Sequence, residues 1–191
     1  MEQLPFVTIV SGLPRSGTSM MMQVIEAGGI PPLTDHVRTK DEDNPQGYYE
    51  FEPVKRTRDD PSWVPAARGK VVKMVYLLLY DLPDEYEYRV IFMRRDLDEV
   101  LASQKVMLKR SGKQGAQVSD DELKELFKAQ LKKFDQWIAT RKNFSILSVD
   151  YKDMIAAPRA QCERLNRFLG GMLDLDASAA AVDPSLYRNR S

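Results

Sequence analysis

The residues of this chain best suited to chemistry stand between an apolar run and a methionine-rich stretch, in Gly12-Leu-Pro-Arg-Ser-Gly17-Thr-Ser19. Glycines at this spacing let the backbone turn tightly, so that successive N–H groups point into one concavity. A helix beginning there adds its positive end, and the product is a cradle for a phosphate-like anion. Gly17 permits close backbone approach, Ser16 lies inside the loop, and Thr18 and Ser19 offer hydroxyl donors. The Gly-x-x-x-x-Gly spacing is that of a P-loop, but Thr18 stands where a P-loop carries its lysine. A site that cleaves ATP or GTP uses that lysine on the β- and γ-phosphates, together with a magnesium-binding hydroxyl and acid. Here the cation precedes the second glycine by two residues, at Arg15.

A second constellation lies downstream. Val90-Ile-Phe-Met-Arg-Arg95 reads as a strand ending in arginine, the end of an open α/β sheet at which ligands bind. Ser103 falls about two turns into the helix that follows, on the side that can face back toward Arg95. Arg95 also has Asp98 and Glu99 within reach as ordinary ion-pair partners. Lys73 interrupts an apolar strand, Val71-Val-Lys-Met-Val75, and is either a solvent-facing edge residue or a cation for the site.

Pro-Arg-Ser-Gly-Thr-Ser, together with Arg95 and Ser103 eight positions apart, resembles the sulfotransferases that use 3′-phosphoadenosine 5′-phosphosulfate (PAPS). The resemblance implies a three-layer α/β/α domain with a central parallel sheet, P-loop-like, spanning residues 1–191. It implies that Arg15, Ser16, Gly17, Thr18 and Ser19 hold the 5′-phosphosulfate, and that Arg95 and Ser103 bind the 3′-phosphate. Arg188 or Arg190, in the basic tail, corresponds to a late basic segment that reaches the same phosphate in relatives. Phe144-Ser-Ile-Leu-Ser-Val-Asp-Tyr151 and the helix reaching Phe168 are similar to the family's closing strand and helix. Lys73 matches a lysine near the transferring group in cytosolic relatives, but Val75 stands where they have a catalytic histidine. Either a base comes from elsewhere or the acceptor needs little deprotonation. Glu50 ends Asn44-Pro-Gln-Gly-Tyr-Tyr-Glu50, a phrase similar to one in bacterial and Golgi-type relatives, some of which use a glutamate. Glu52 and His36, the only histidine, are the rivals. No metal is expected, because cationic side chains and backbone donors suffice for a sulfuryl group.

These residues need elements to hold them. Pro5 to Val10 reads as a buried parallel strand and Met20 to Ala27 as a helix stopped by Gly28-Gly29. Val71 to Leu79 and Arg89 to Met93 supply two further strands. A helix from Asp96 to about Gly112 opens with the capping-box spacing Asp96-x-x-Glu99, and Ser119-x-x-Glu122 repeats it. Behind Ser119, residues Leu123, Phe127, Leu131, Phe134 and Ile138 recur every three or four positions, the pattern of an amphipathic helix. Phe144 to Val149 is a last strand and Pro158 to Leu169 a last helix. Alternating strands and helices imply a parallel sheet covered on both faces. Ile30 to Pro65, with six prolines, reads as a functional loop or lid.

Composition sets outer limits. The 191 residues carry 28 Lys+Arg against 28 Asp+Glu, which argues against a general nucleic-acid binder. The single cysteine, Cys162, rules out an intramolecular disulfide and a four-cysteine zinc site, and it reads as a core residue on a helix. No stretch approaches a membrane span. The start lacks a basic region ahead of its apolar run, so a secretory signal is not expected and the cytoplasm is. The acceptor is expected to be a small molecule or glycan. Tyr48, Tyr49, Trp63 and Tyr76 either stack on it or belong to the core. Two other readings stay open: a P-loop nucleotide kinase or NTPase, in which Asp150 echoes a magnesium-binding aspartate, and a non-catalytic nucleotide-binding module.

Overall fold

The computed structural model describes residues 5–35, 49–110 and 118–186. At its centre are four parallel strands in the order β2-β1-β3-β4: β1 (Phe6–Gly12), β2 (Val71–Lys73), β3 (Glu87–Arg94) and β4 (Phe144–Asp150). Every residue of β1 is buried, as expected of a central strand whose two faces are both covered. Alternation assigns the faces. Phe6, Val10, Ile91 and Met93 point into one cluster, packed against α1 (Thr18–Ala27), α4 (Tyr151–Ala156) and α5 (Pro158–Leu169). Val7, Ile9, Val90 and Phe92 point into the other, against α3 (Asp120–Ile138). Phe134 of α3 stacks on Phe92 with ring centroids 4.7 Å apart. The result is the expected three-layer α/β/α arrangement.

Local chemistry explains the ends of these helices. Gly29 adopts φ 101°, which lets its N–H reach the Glu26 carbonyl and the Ile30 N–H reach that of Ile25, the paired closing bonds of a left-handed helix stop. Ser119 and Glu122 form a complete reciprocal capping box on α3. The Asp96 carboxylate accepts from the N–H groups of Asp98 and Glu99 and so starts α2 (Leu97–Arg110). Cys162 is buried in the α5 core, and burial pushes its thiol up to about 11.

One expectation needs correction. The apolar run from Val71 to Leu79 is not one strand: β2 ends at Lys73, and Tyr76–Asp81 forms a 3-10 helix. In that helix residues three apart lie on one side, and Tyr76, Leu79 and Leu82 are buried while Leu77 and Tyr80 face solvent. The structure also holds α4 and a short helix, α6 (Leu175–Ala180), whose first N–H groups are capped by the Asp174 carboxylate. Among the described residues no helix is long and apolar enough to cross a membrane.

Candidate active site

The strand order places the site. From β1 the chain goes to β2 on one side and then crosses to β3 on the other, so the order reverses between β1 and β3. Crevices at such reversals, outside the carboxyl ends of the strands, are where open α/β sheets bind ligands. Gly12 at the end of β1 lies opposite Met93 near the end of β3, and residues 13–17 and 95 emerge together from that edge.

The loop is held by close approach. A Cβ at Gly12 would lie 2.7 Å from the Met93 carbonyl oxygen, and one at Gly17 would lie 2.3 Å from Cδ2 of Tyr151. Gly17 has φ 97°, a left-handed value that glycine adopts without penalty. The Ser16 N–H and hydroxyl both donate to the Leu13 carbonyl, at 3.2 and 2.7 Å, so Ser16 closes the turn. α1 has no side-chain cap, and its first ladder bond runs from Met21 N–H to the Gly17 carbonyl. The N–H groups of Thr18, Ser19 and Met20 therefore lie outside the helical ladder, at its positive end. Arg15 takes φ 70°, an uncommon conformation for a residue with a Cβ, and such strain concentrates at functional sites.

The two constellations meet at Arg15. Its Nε donates to Ser103 Oγ at 3.0 Å, and its carbonyl accepts from Arg95 Nη1 at 3.2 Å. Ser103 is 3% exposed. Arg95 lies over the ring of Tyr151, 4.5 Å from its centroid, and its Nε donates to Glu99 at 2.8 Å. Burial raises the Tyr151 phenol, with the neighbouring Arg95 charge opposing the rise, so the ring stays neutral at physiological pH. On the opposite side of the loop, Lys73 Nζ donates to Ser19 Oγ at 3.2 Å. Lys73 is thus half-buried at the end of β2 and directed at the start of α1. Arg15, Lys73 and Arg95 surround one loop that also presents a helix N-terminus, an arrangement suited to an anion carrying more than one charge.

The other candidates lie elsewhere or outside the described residues. Glu50 is half-buried, and its carbonyl accepts from the Thr34 hydroxyl and the Asp35 N–H. Residues 31–33 pair beside Val71, which carries Thr34 and Asp35 toward the Lys73 end of β2. Glu52 is exposed and pairs with Lys55. His36, Tyr48, Arg188 and Arg190 lie outside the described residues. Trp63 and Tyr76 are core: the indole donates to Thr57 and the Tyr76 phenol to Gln130. The Tyr49 phenol donates a hydrogen bond to Glu26. No group of three or more His, Cys, Asp or Glu among the described residues is placed to hold a metal ion. Sequence reasoning passed over Glu99 and Tyr151 as site residues. Glu99 could have been found, because it stands four positions after Arg95, just ahead of α2, and four before Ser103 within it.

Residues 86–174 match the model of the sulfotransferase family. The matched segment is 89 of the 191 residues, just under half of the chain. It carries Arg95, Glu99, Ser103 and Tyr151 and begins downstream of the glycine loop. Over 95% of its length the chain is similar to a crystal structure of a sulfotransferase from Alicyclobacillus acidocaldarius, with 14% identity, 87% of that chain covered and TM-score 0.51. Over 97% it is similar to the sulfotransferase domain from the curacin biosynthetic pathway, with 17% identity, 90% of that chain covered and TM-score 0.50. At these identities the likeness is one of fold. A sugar kinase from Janibacter sp. HTCC2649, at 13% identity and TM-score 0.42 over 92% of this chain and 97% of its own, is too distant to bear on function. No curated protein sequence matches the chain.

Proposed function

We propose that the protein is a sulfotransferase that takes its sulfuryl group from PAPS and passes it to a hydroxyl or amine of a small-molecule or glycan acceptor. The observation that carries this reading is the contact between Arg15 and Ser103, 3.0 Å, with Arg95 bonded to the carbonyl of the same Arg15. An ordinary triphosphate-cleaving loop has no need of a second anion pocket on the neighbouring strand and helix. A nucleotide with phosphates on both the 5′ and 3′ oxygens does. Ser16 and Met93 pack against Gly12 and Tyr151 packs against Gly17 so closely that neither position has room for a Cβ, which ties the loop to β3 and α4.

Bound PAPS would supply an activated sulfuryl group and a phosphate as leaving group. The work of the chain is then to hold, align and neutralise. The loop N–H groups and the Thr18 and Ser19 hydroxyls bind the 5′ end. Arg15 stabilises negative charge as it gathers on the leaving oxygen. Arg95 and Ser103 hold the 3′-phosphate, with Arg188 or Arg190 of the tail as additional cations. Lys73, fixed by Ser19, stands beside the transferring group, and Glu50 takes the acceptor's proton.

Calorimetry with adenosine 3′,5′-bisphosphate (PAP), ATP and GTP, each with and without magnesium, tests the donor. Selective, magnesium-independent PAP binding is expected, followed by sulfate transfer to a mixed acceptor panel. Magnesium-dependent ATP or GTP binding with no affinity for PAP would overturn the reading.

A further inference from the structure

Glu99 and Ser103 are four residues apart on one face of α2, in its first and second turns, and Arg95 stands two residues ahead of the helix. Glu99 is the unexplained member. A carboxylate beside an anion site repels the ligand, yet the side chains of Arg95 and Glu99 are only 8% and 5% exposed and bond at 2.8 Å. The guanidinium is held on three sides. Its Nε is committed to Glu99, its Nη1 to the Arg15 carbonyl at 3.2 Å, and its face to the Tyr151 ring at 4.5 Å. A planar guanidinium tied at two nitrogens and one face has a single orientation before any ligand arrives.

Resting on the PAPS reading above, we infer that Glu99 is a positioning residue for the nucleotide's 3′-phosphate. Its carboxylate fixes the Arg95 guanidinium toward the Arg15 loop and so sets the preference for a 3′,5′-bisphosphate over a 5′-monophosphate. Without that tie, Arg95 is held less closely and must lose more side-chain freedom at the moment of binding, and affinity falls by that amount. Charge and reach make opposite demands here, which separates a positioning role from simple electrostatics. Loss of the negative charge alone should favour an anion. Loss of the bond to Nε should disfavour the 3′-phosphate alone.

The experiment is calorimetry of the full chain with PAP and with AMP, reading the ratio of the two affinities in wild type, Glu99→Asp and Glu99→Gln. Aspartate keeps the charge but withdraws by one methylene from Nε. Glutamine keeps the acceptor oxygen at that reach and drops the charge. The ratio is expected to fall at least fivefold in E99D, through PAP and not AMP, and to stay within threefold of wild type in E99Q. Thermal midpoints show whether each variant is folded. Glu99→Ala is the less useful change, since it strands a buried cation and endangers the fold. A wild-type ratio near one would refute the donor assignment, and the inference with it. A clear wild-type preference for PAP that survives in E99D, or falls equally in E99D and E99Q, would leave the donor standing and overturn the role of Glu99.

Discussion

Replacing Arg15 with alanine should divide folding from chemistry. In the folded protein the side chain makes one partly buried hydrogen bond, from Nε to Ser103 Oγ at 3.0 Å. Losing it and leaving that hydroxyl unpaired costs about 1–2 kcal/mol. The strain at φ 70° is shared by alanine and cancels. For a chain of this size the thermal midpoint should then fall by roughly 2–8 °C. Turnover should suffer far more, because a donor aimed at charge that develops only in the transition state contributes about 3–4 kcal/mol, or a factor of roughly 100 to 1,000 in kcat. The assay follows conversion of PAPS to PAP by chromatography, with phenol, sugar and amine acceptors supplied together, beside a thermal melt of the same preparation. A kcat within about tenfold of wild type in a folded R15A protein would refute the proposed role of Arg15. So would a collapse of the fold large enough to account for the lost activity.

Other expectations are more local. Gly17→Ala brings a Cβ to 2.3 Å from the Tyr151 ring at a left-handed φ. It should destabilise by about 2–4 kcal/mol, the sum of a left-handed penalty and overpacking; a denaturant midpoint that does not move would count against the close packing described. Glu50→Gln should leave PAP binding intact and lower turnover, and unchanged turnover would turn attention to Glu52 and His36. Cys162, with its thiol raised to about 11, should resist alkylation at pH 8 until the protein unfolds. Because the folded state holds that proton more tightly than the unfolded one, the associated stability is full below about pH 9. It is lost as pH rises toward 11; rapid native-state labelling would contradict this.

The sheet and the loop were legible from sequence because two independent signals coincide there. A β-branched run passes straight into a glycine-spaced turn, and helix periodicity follows. Arg95 and Ser103 were paired on the family resemblance; in the structure Arg95 stands just ahead of α2 and Ser103 in its second turn, and both bond to Arg15. The run from Val71 to Leu79 misled, since a continuous apolar stretch hides its period, and burial of Tyr76, Leu79 and Leu82 emerges only once the chain has left the sheet. α4 and α6, six residues each, are too short to display helical periodicity. Tyr151 escaped notice because its task is steric: it fills the space that Gly17 leaves empty, and no local pattern encodes a contact across so many residues.

The most direct test is a crystal structure of the protein with PAP. The 5′-phosphate is expected against the N–H groups of residues 17–19 and the Arg15 guanidinium, and the 3′-phosphate within hydrogen-bonding distance of Arg95 and Ser103. A nucleotide held by the loop alone, with its 3′-phosphate in solvent or directed away from α2, would contradict the account.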